Sequence, residues 1–196
     1  MEQTLRQFED NISRIEHLVK LYEDNSINNT QEDYSDILRA ALVLLVSALD
    51  TFIHNIIRLG MVEILKGERP QTEDYHKMKI SLGIINFDPN YEWFESHIRR
   101  EHASISYQSP KQVSDAIRHI SKLDLWKEIG NTLNRDQEIL KRELKEIVDR
   151  RNQIAHESDL DEFGQKRAIR KEDFLVNIDF IEKLVNTIYN LLISEK

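Results

Sequence analysis

The chain has 196 residues, of which 40% are hydrophobic and 32% are charged, and this balance supports a folded core and excludes an intrinsically disordered chain. Three prolines and five glycines are few backbone breakers for this length, so we expect a single, mostly helical domain over residues 1–196. The formal net charge of −8 argues against nonspecific coating of nucleic acid, although a local basic patch could still guide a phosphate backbone.

Two helices are predicted in the first third of the chain. Apolar residues recur at helical spacing over residues 2–24. The strongest pattern covers residues 36–66, where an apolar face is widened by further leucine and valine positions, and we expect this helix to be central and buried. It should end at "KGERPQ", because Gly67 suits a C-terminal cap and Pro70 cannot continue the hydrogen-bond ladder.

The middle of the chain is less regular. Gly83, Pro89 and Pro110 punctuate it, which favours short helices. The predicted helices cover residues 73–82, 90–103 and 110–127.

Helical spacing returns over residues 136–155, and a closing helix is predicted over residues 174–193. The intervening "DLDEFGQKR" is typical of a loop. The chain shows no internal repeat and no alternating strand pattern, so the predicted fold class is all-α.

The end of the 136–155 helix, "DRRNQIAHES", carries an unusual set of polar residues. On a helical projection Arg151 falls near the middle of an apolar stripe about 120° wide. A guanidinium is rarely buried without a partner, since its desolvation costs several kcal/mol. The structural interpretation is an ion pair with Asp50, which flanks the apolar face of the central helix, and such a pair is compatible with a functional role.

His156 follows Arg151 by five residues, so the two side chains point about 140° apart on an ideal helix, whereas Asn152 and His156 share a face. Either the helix loosens at "AHES", or another chain completes a site that uses both residues. The alternative interpretation is structural, because cationic side chains suit the negative end of a helix dipole.

The string R-N-Q-I-A-H, residues 151–156, resembles the R-x4-6-H signature of the HEPN superfamily. The segment "RAALVLLVSALDTFIHNIIR" resembles the corresponding acidic, apolar helix of the prokaryotic RiboL-PSP-HEPN and MAE_28990-type groups. The resemblance covers most of the chain outside its middle region. It implies an antiparallel HEPN-like helical bundle, here with additional short helices in the middle. Many such domains are metal-independent ribonucleases that act as toxins or in defence against phage, with composite sites at a dimer interface.

The resemblance assigns roles to individual residues. His156 would transfer protons, because the pKa of histidine lies near neutrality, and Arg151 would bind the phosphate and its transition state. Asn152 would orient the phosphate or His156. Arg150 would be an accessory residue, and Asp50 would orient Arg151.

Other polar clusters carry weaker signals. The segment "QKRAIRK" offers cations that could contact RNA phosphates, although a solvated face is the favoured interpretation. His97 and His102 lack the spacing of a helical zinc pair, and no metal or other cofactor is expected. The possible RNA contacts are Lys166, Arg167, Arg170 and Lys171.

The leading hypothesis is therefore a HEPN endoribonuclease, a toxin or antiphage effector that cleaves RNA as a homodimer and is associated with an antitoxin or another defence protein. The alternative is a noncatalytic HEPN module that binds a partner protein or a nucleotide, and a plain helical scaffold is a third possibility. The chain has no cysteine, no signal-peptide pattern at its start and no apolar run of membrane-spanning length, so a cytoplasmic protein without membrane contact is expected.

Overall fold

The computed structural model describes residues 1–29, 31–80, 82–85 and 91–195. Within these residues the fold is all-α, as predicted, and an isolated antiparallel bridge joins Leu160 to Lys166. The helices are α1 (Glu2–Asn28), α2 (Ser35–Leu65), α3 (Glu73–His76), α4 (Glu92–His102), α5 (Pro110–Ile117), α6 (Leu125–Leu133), α7 (Gln137–Glu157) and α8 (Lys171–Ser194), with a short 3-10 helix at Leu82–Ile84.

Helix α2 is the centre of the bundle, as its apolar pattern predicts. It packs against α1, α4, α5, α7 and α8. Side chains along its whole length, from Leu38 through Leu45 to Ile57, have no solvent exposure. Side chains from all these helices and from α6 join one contiguous core.

The apolar run "AALVLLVSAL" is too short to cross a bilayer, but the 31-residue helix that contains it is long and apolar enough to do so. In the structure 56% of its most apolar window is buried inside the bundle. The helix buries that surface against its neighbours in the bundle.

The predicted helix over 110–127 is wrong, because the chain turns between α5 and α6. The Ser121 hydroxyl accepts the amide of Leu123 at 3.1 Å within this turn. Ile120 also enters the core against Gly60 of α2, where an added Cβ would lie 2.8 Å from the isoleucine side chain. Close approach of the turn to α2 therefore competes with continuation of the helix.

Other boundaries shift by a few residues. The helix expected over 73–82 is reduced to α3, while α1 extends four residues beyond its predicted end and α8 begins three residues earlier. Gly67 has the positive φ of 76° expected of a C-terminal cap. Residues 81 and 86–90, with Pro89, lie outside the described residues.

The burial of one face of α2 predicts that substitution of two adjacent leucines has very different effects on the free energy of unfolding. Leu45 is fully buried, so Leu45→Ala should lower the free energy of unfolding by about 2–5 kcal/mol through lost contacts and a residual cavity. Leu44 is 47% exposed and provides the control, because Leu44→Ala should change stability much less. Urea denaturation would measure both variants, and equal losses would contradict the assigned orientation of α2.

Candidate functional site

Helix α7 carries the R-N-x3-H residues in its last two turns. Asp136 caps its start, with the carboxylate accepting the amides of Glu138 at 2.7 Å and Ile139 at 3.2 Å. The helix continues regularly to Glu157 and ends at Ser158, which has a left-handed φ of 55°. Of the two alternatives for Arg151 and His156, loosening of the helix at "AHES" does not occur, and the divergence of about 140° between the two side chains persists.

The two adjacent arginines of α7 project in different directions. Arg150 turns toward the loop after the helix, where its Nη2 donates to the Asp159 carboxylate at 2.9 Å and to the Ala168 carbonyl at 3.1 Å. Arg151 turns instead toward an open groove and makes no hydrogen bond or ion pair with the described residues. Arg150, expected to be an accessory site residue, is thus engaged in a buried ion pair.

The groove that Arg151 faces has a volume of about 670 Å³. Of its other two cations, Lys111 pairs with Asp115 and Lys145 pairs with Asp149. Arg151 is therefore the groove cation whose charge no described carboxylate neutralises. One wall of the groove comes from the segment before α5 and its first turn (Ser106, Gln108, Ser109, Pro110, Lys111 and Gln112), and the other comes from α7 (Lys145, Val148, Asp149, Arg151 and Asn152).

The predicted ion pair between Arg151 and Asp50 does not form. The Asp50 carboxylate instead accepts the backbone amide of Tyr107 at 2.6 Å and lies 3.9 Å from His54 Nε2. Helical projection placed Asp50 and Arg151 on facing surfaces, but it gives no relative height along the two helices. Asp50 supports the segment that forms one groove wall and does not orient Arg151.

Asn152 and His156 share one face of α7, as predicted. Asn152 lines the groove beside Arg151, whereas His156 lies one turn further along and is exposed to solvent. The imidazole has no hydrogen-bond partner within the described residues. The predicted apolar stripe is also shorter than expected, because Ala155 is exposed at this end of the helix.

Arg39 and Asp159 form a buried ion pair that was not predicted from the sequence. The Asp159 side chain is 1% exposed and that of Arg39 is 8% exposed, and Arg39 Nε donates to the carboxylate at 2.6 Å. A signal for Arg39 exists in the sequence, because it shares the helical face of Leu42 and Val46 at i+3 and i+7. Asp159 carries no such signal, since an acidic residue in a polar loop is usually exposed.

The groove wall opposite α7 rests on aromatic side chains. The Tyr107 ring lies 4.5 Å from the His54 ring and 5.9 Å from the His102 ring, measured between centroids. His54 Nε2 donates to the Ile105 carbonyl at 3.0 Å, and Trp126 Nε1 donates to the Pro110 carbonyl at 2.9 Å. These contacts hold the segment that leads into α5.

Burial is the main cause of the pKa shifts of the side chains behind this wall. It lowers the pKa of His102 to about 4, with nearby histidines adding to the effect, and it also lowers the pKa of His119. The same burial, helped by Asp50, raises the pKa of Tyr107 to about 12. These side chains are therefore neutral near pH 7.

The basic segment after the site is largely paired within the chain. Lys166 lies 2.9 Å from Asp36, and Lys171 lies 2.8 Å from Glu23. Arg167 Nε donates to the Leu160 carbonyl at 3.1 Å, while Arg170 is 77% exposed. A role of these residues in RNA binding stays a prediction.

The described residues contain no group of three or more histidine, aspartate or glutamate side chains arranged to hold a metal ion.

A comparison with protein families matches residues 7–194 to RiboL-PSP-HEPN. The chain belongs to this family. Membership agrees with the all-α bundle and with the resemblance carried by Arg151 and His156. Neither the comparison with curated proteins nor that with solved structures returned a significant match.

The lowered pKa of His102 predicts a loss of stability in acid. Its folded-state pKa of about 4 lies below its ordinary value of 6.5, so the unfolded chain binds the proton first as the pH falls. The contribution of neutral His102 to the free energy of unfolding is complete above the pKa of the unfolded chain, and it decreases as the pH falls toward the pKa of the folded state. His102→Phe should reduce the loss in unfolding free energy between about pH 7 and about pH 5 by about 1 kcal/mol, because His102 is half-buried and solvent screens part of the effect.

Denaturation midpoints at each pH would measure this effect. His17 is exposed, so His17→Gln provides the matched control and should keep the wild-type pH dependence. An unchanged pH dependence in His102→Phe would contradict the buried, neutral state of this imidazole.

Proposed function

We propose that this RiboL-PSP-HEPN protein is a metal-independent endoribonuclease that acts as a toxin or an antiphage effector on cellular or phage RNA. The observation that carries the proposal is the guanidinium of Arg151, which lies in an open groove and has no partner among the described residues. The neighbouring lysines of the groove already have carboxylate partners. An uncompensated arginine in such surroundings favours binding of an anion.

The groove supplies groups suited to a phosphodiester. The planar fork of Arg151 can donate to two phosphate oxygens and stabilise the charge that develops on them during reaction. Asn152 on the same wall can orient the phosphate, and the amides of Gln108 and Gln112 can hydrogen-bond a neighbouring nucleotide.

The proposed reaction needs no external nucleophile. The ribose 2′-oxygen attacks phosphorus after losing its proton to a base, and the bond from phosphorus to the 5′-oxygen breaks as an acid protonates the leaving group. His156 is suited to proton transfer, since histidine titrates near neutrality. The products are a 2′,3′-cyclic phosphate and a 5′-hydroxyl.

A second copy of the chain would complete this site. Each chain provides one motif histidine, whereas the concerted reaction uses both a base and an acid. His156 is exposed, and α7 keeps it about 140° from Arg151, so the open side of α7 can meet another motif across a two-fold axis. We propose a homodimer with a composite site, and an antitoxin or defence partner that controls it.

Cleavage should persist in EDTA and should leave 2′,3′-cyclic phosphate ends on RNA, while DNA, which lacks the 2′-hydroxyl, remains intact. Arg151→Ala and His156→Ala should each reduce the rate by roughly 100-fold or more. Arg142 is an exposed arginine on the same helix, so Arg142→Ala is the control for the loss of a positive charge. Gel assays and mass spectrometry of the cleaved ends would measure these outcomes.

Full activity in His156→Ala would reject the catalytic assignment. Absence of cleavage in every variant and in the wild type, together with partner binding that requires Arg151, would favour the noncatalytic module.

Subunit mixing tests the composite site. Wild-type subunits are exchanged at random with an equal amount of His156→Ala subunits, so about a quarter of the dimers contain two wild-type chains. If both histidines of a dimer serve one site, the activity should fall to about a quarter of that of wild-type protein at the same total concentration. Independent sites would retain about half. Mixing with Arg142→Ala under the same conditions provides the control, and sedimentation measures the dimer. A monomer that cleaves RNA would contradict the proposal.

A further inference from the structure

Asp159 forms a buried link between the start of α2 and the end of α7. Its carboxylate accepts Arg39 Nε at 2.6 Å and Arg150 Nη2 at 2.9 Å, and Arg150 Nη1 also pairs with it. The Asp159 side chain is 1% exposed, so RNA cannot reach it in this conformation. A direct chemical role for the carboxylate is therefore excluded by access.

The two arginines extend the link into the loop after α7. Arg39 Nη2 donates to the Arg167 carbonyl at 2.5 Å, and Arg150 donates to the Ala168 carbonyl. The backbone of Asp159 contacts the same part of the loop, because the Asp159 carbonyl accepts a hydrogen bond from the Arg167 amide at 2.9 Å. Side-chain and backbone contacts thus join α2, α7 and the returning loop at one point.

Beyond Val148, the last buried residue of α7, this link holds the end of the helix in one rotation about its axis. Neighbouring residues on an α-helix point about 100° apart. Since Arg150 is held toward Asp159, Arg151 must project toward the groove, and Asn152 follows it along the groove wall. Release of Arg150 would permit the last two turns of α7 to rotate or fray.

The link also determines where α7 ends. Ser158 and Asp159 both adopt left-handed conformations, with φ of 55° and 58°, which non-glycine residues rarely adopt. The Asp159 amide donates to the Gln153 carbonyl at 3.1 Å and closes the turn that contains His156. Such backbone conformations persist where the surrounding contacts over-determine them, as the two ion pairs do here.

We propose that Asp159 is a positioning residue of the ribonuclease site, acting through Arg150 and through the last turn of α7 to direct Arg151 into the groove and to place His156. This inference rests on the proposed function for its kinetic consequence. Its structural consequence, the placement of Arg151 and His156, can be measured without any cleavage.

The experiment compares Asp159→Asn with Asp36→Asn. Asp36 is an exposed carboxylate that contacts the same Arg39, so it controls for the removal of one negative charge near that arginine. With folding checked by circular dichroism, Asp159→Asn should lower kcat by roughly 10-fold to 100-fold with little change in KM, because misplacement of reacting groups affects the transition state most. Asp36→Asn should retain wild-type kinetics.

NMR of the His156 ring and the Arg151 Nε–H group supplies the second readout. Both signals should shift or broaden in Asp159→Asn and stay in place in Asp36→Asn. If the wild type cleaves no RNA, the proposed function fails, and these signals alone decide the positioning role. A folded Asp159→Asn protein with wild-type kcat, or with unchanged His156 and Arg151 signals, would overturn the inference.

Asp159→Asn removes the carboxylate that the buried Arg39 and the half-buried Arg150 share, and this loss can prevent folding. Arg150→Met then replaces it, since this variant keeps the Arg39–Asp159 pair and removes only the contact from α7. Arg150→Met should show the same loss of kcat and the same NMR changes, and Arg150→Lys should recover part of both. Wild-type kinetics and spectra in Arg150→Met would overturn the inference.

Discussion

The buried carboxylate of Asp159, shared between Arg39 and Arg150, is the interaction on which the end of α7 depends. Burial of ionised groups costs several kcal/mol each unless partners and hydrogen bonds satisfy them. Here two guanidiniums face one carboxylate, and the carbonyls of Arg167 and Ala168 in the loop accept further donors of these guanidiniums. The arrangement therefore ties α2, α7 and the returning loop to one another, because all three contribute groups to it.

That placement separates two adjacent arginines into two roles. Arg150 is held by the bundle, and Arg151 lies in the groove without a carboxylate partner in the part of the chain that the structure describes. The opposite wall of the groove is held independently, through Asp50 beneath Tyr107 and Trp126 beneath Pro110. Both walls of the groove are therefore held by contacts to the rest of the bundle, which favours binding of an anion in a defined orientation.

The helices with long apolar periodicity could be predicted from the sequence, and the contacts between distant residues could not. The pattern of α2 identifies it as the central helix, and the spacing of residues 151–156 indicates the candidate site. The break between α5 and α6 depends on packing of Ile120 against Gly60, which local propensity does not contain. The predicted end of α7 and the predicted start of α8 lie within three residues of the observed ones, because a polar, glycine-containing segment seldom continues a helix.

Partner assignment across helices failed for a geometric reason. A helical projection gives angles about the axis, but Asp50 lies eleven residues after Arg39, about 16 Å along α2 at 1.5 Å per residue. The end of α7 meets α2 at the level of Arg39, and Asp50 meets the segment around Tyr107. Asp159 was unrecognisable because it is 120 residues from Arg39 in sequence and lies in a polar loop.

The proposed function requires Arg151 to hold an RNA phosphate in the groove between α5 and α7. The decisive measurement is a crystal structure with a short 2′-O-methyl RNA, which lacks the proposed nucleophile and cannot be cleaved. We expect a backbone phosphate within hydrogen-bond distance of the Arg151 guanidinium, with His156 of one or both chains beside the adjoining ribose. RNA bound on another face, or a groove filled by a partner protein with Arg151 paired to its carboxylate, would contradict this role of Arg151.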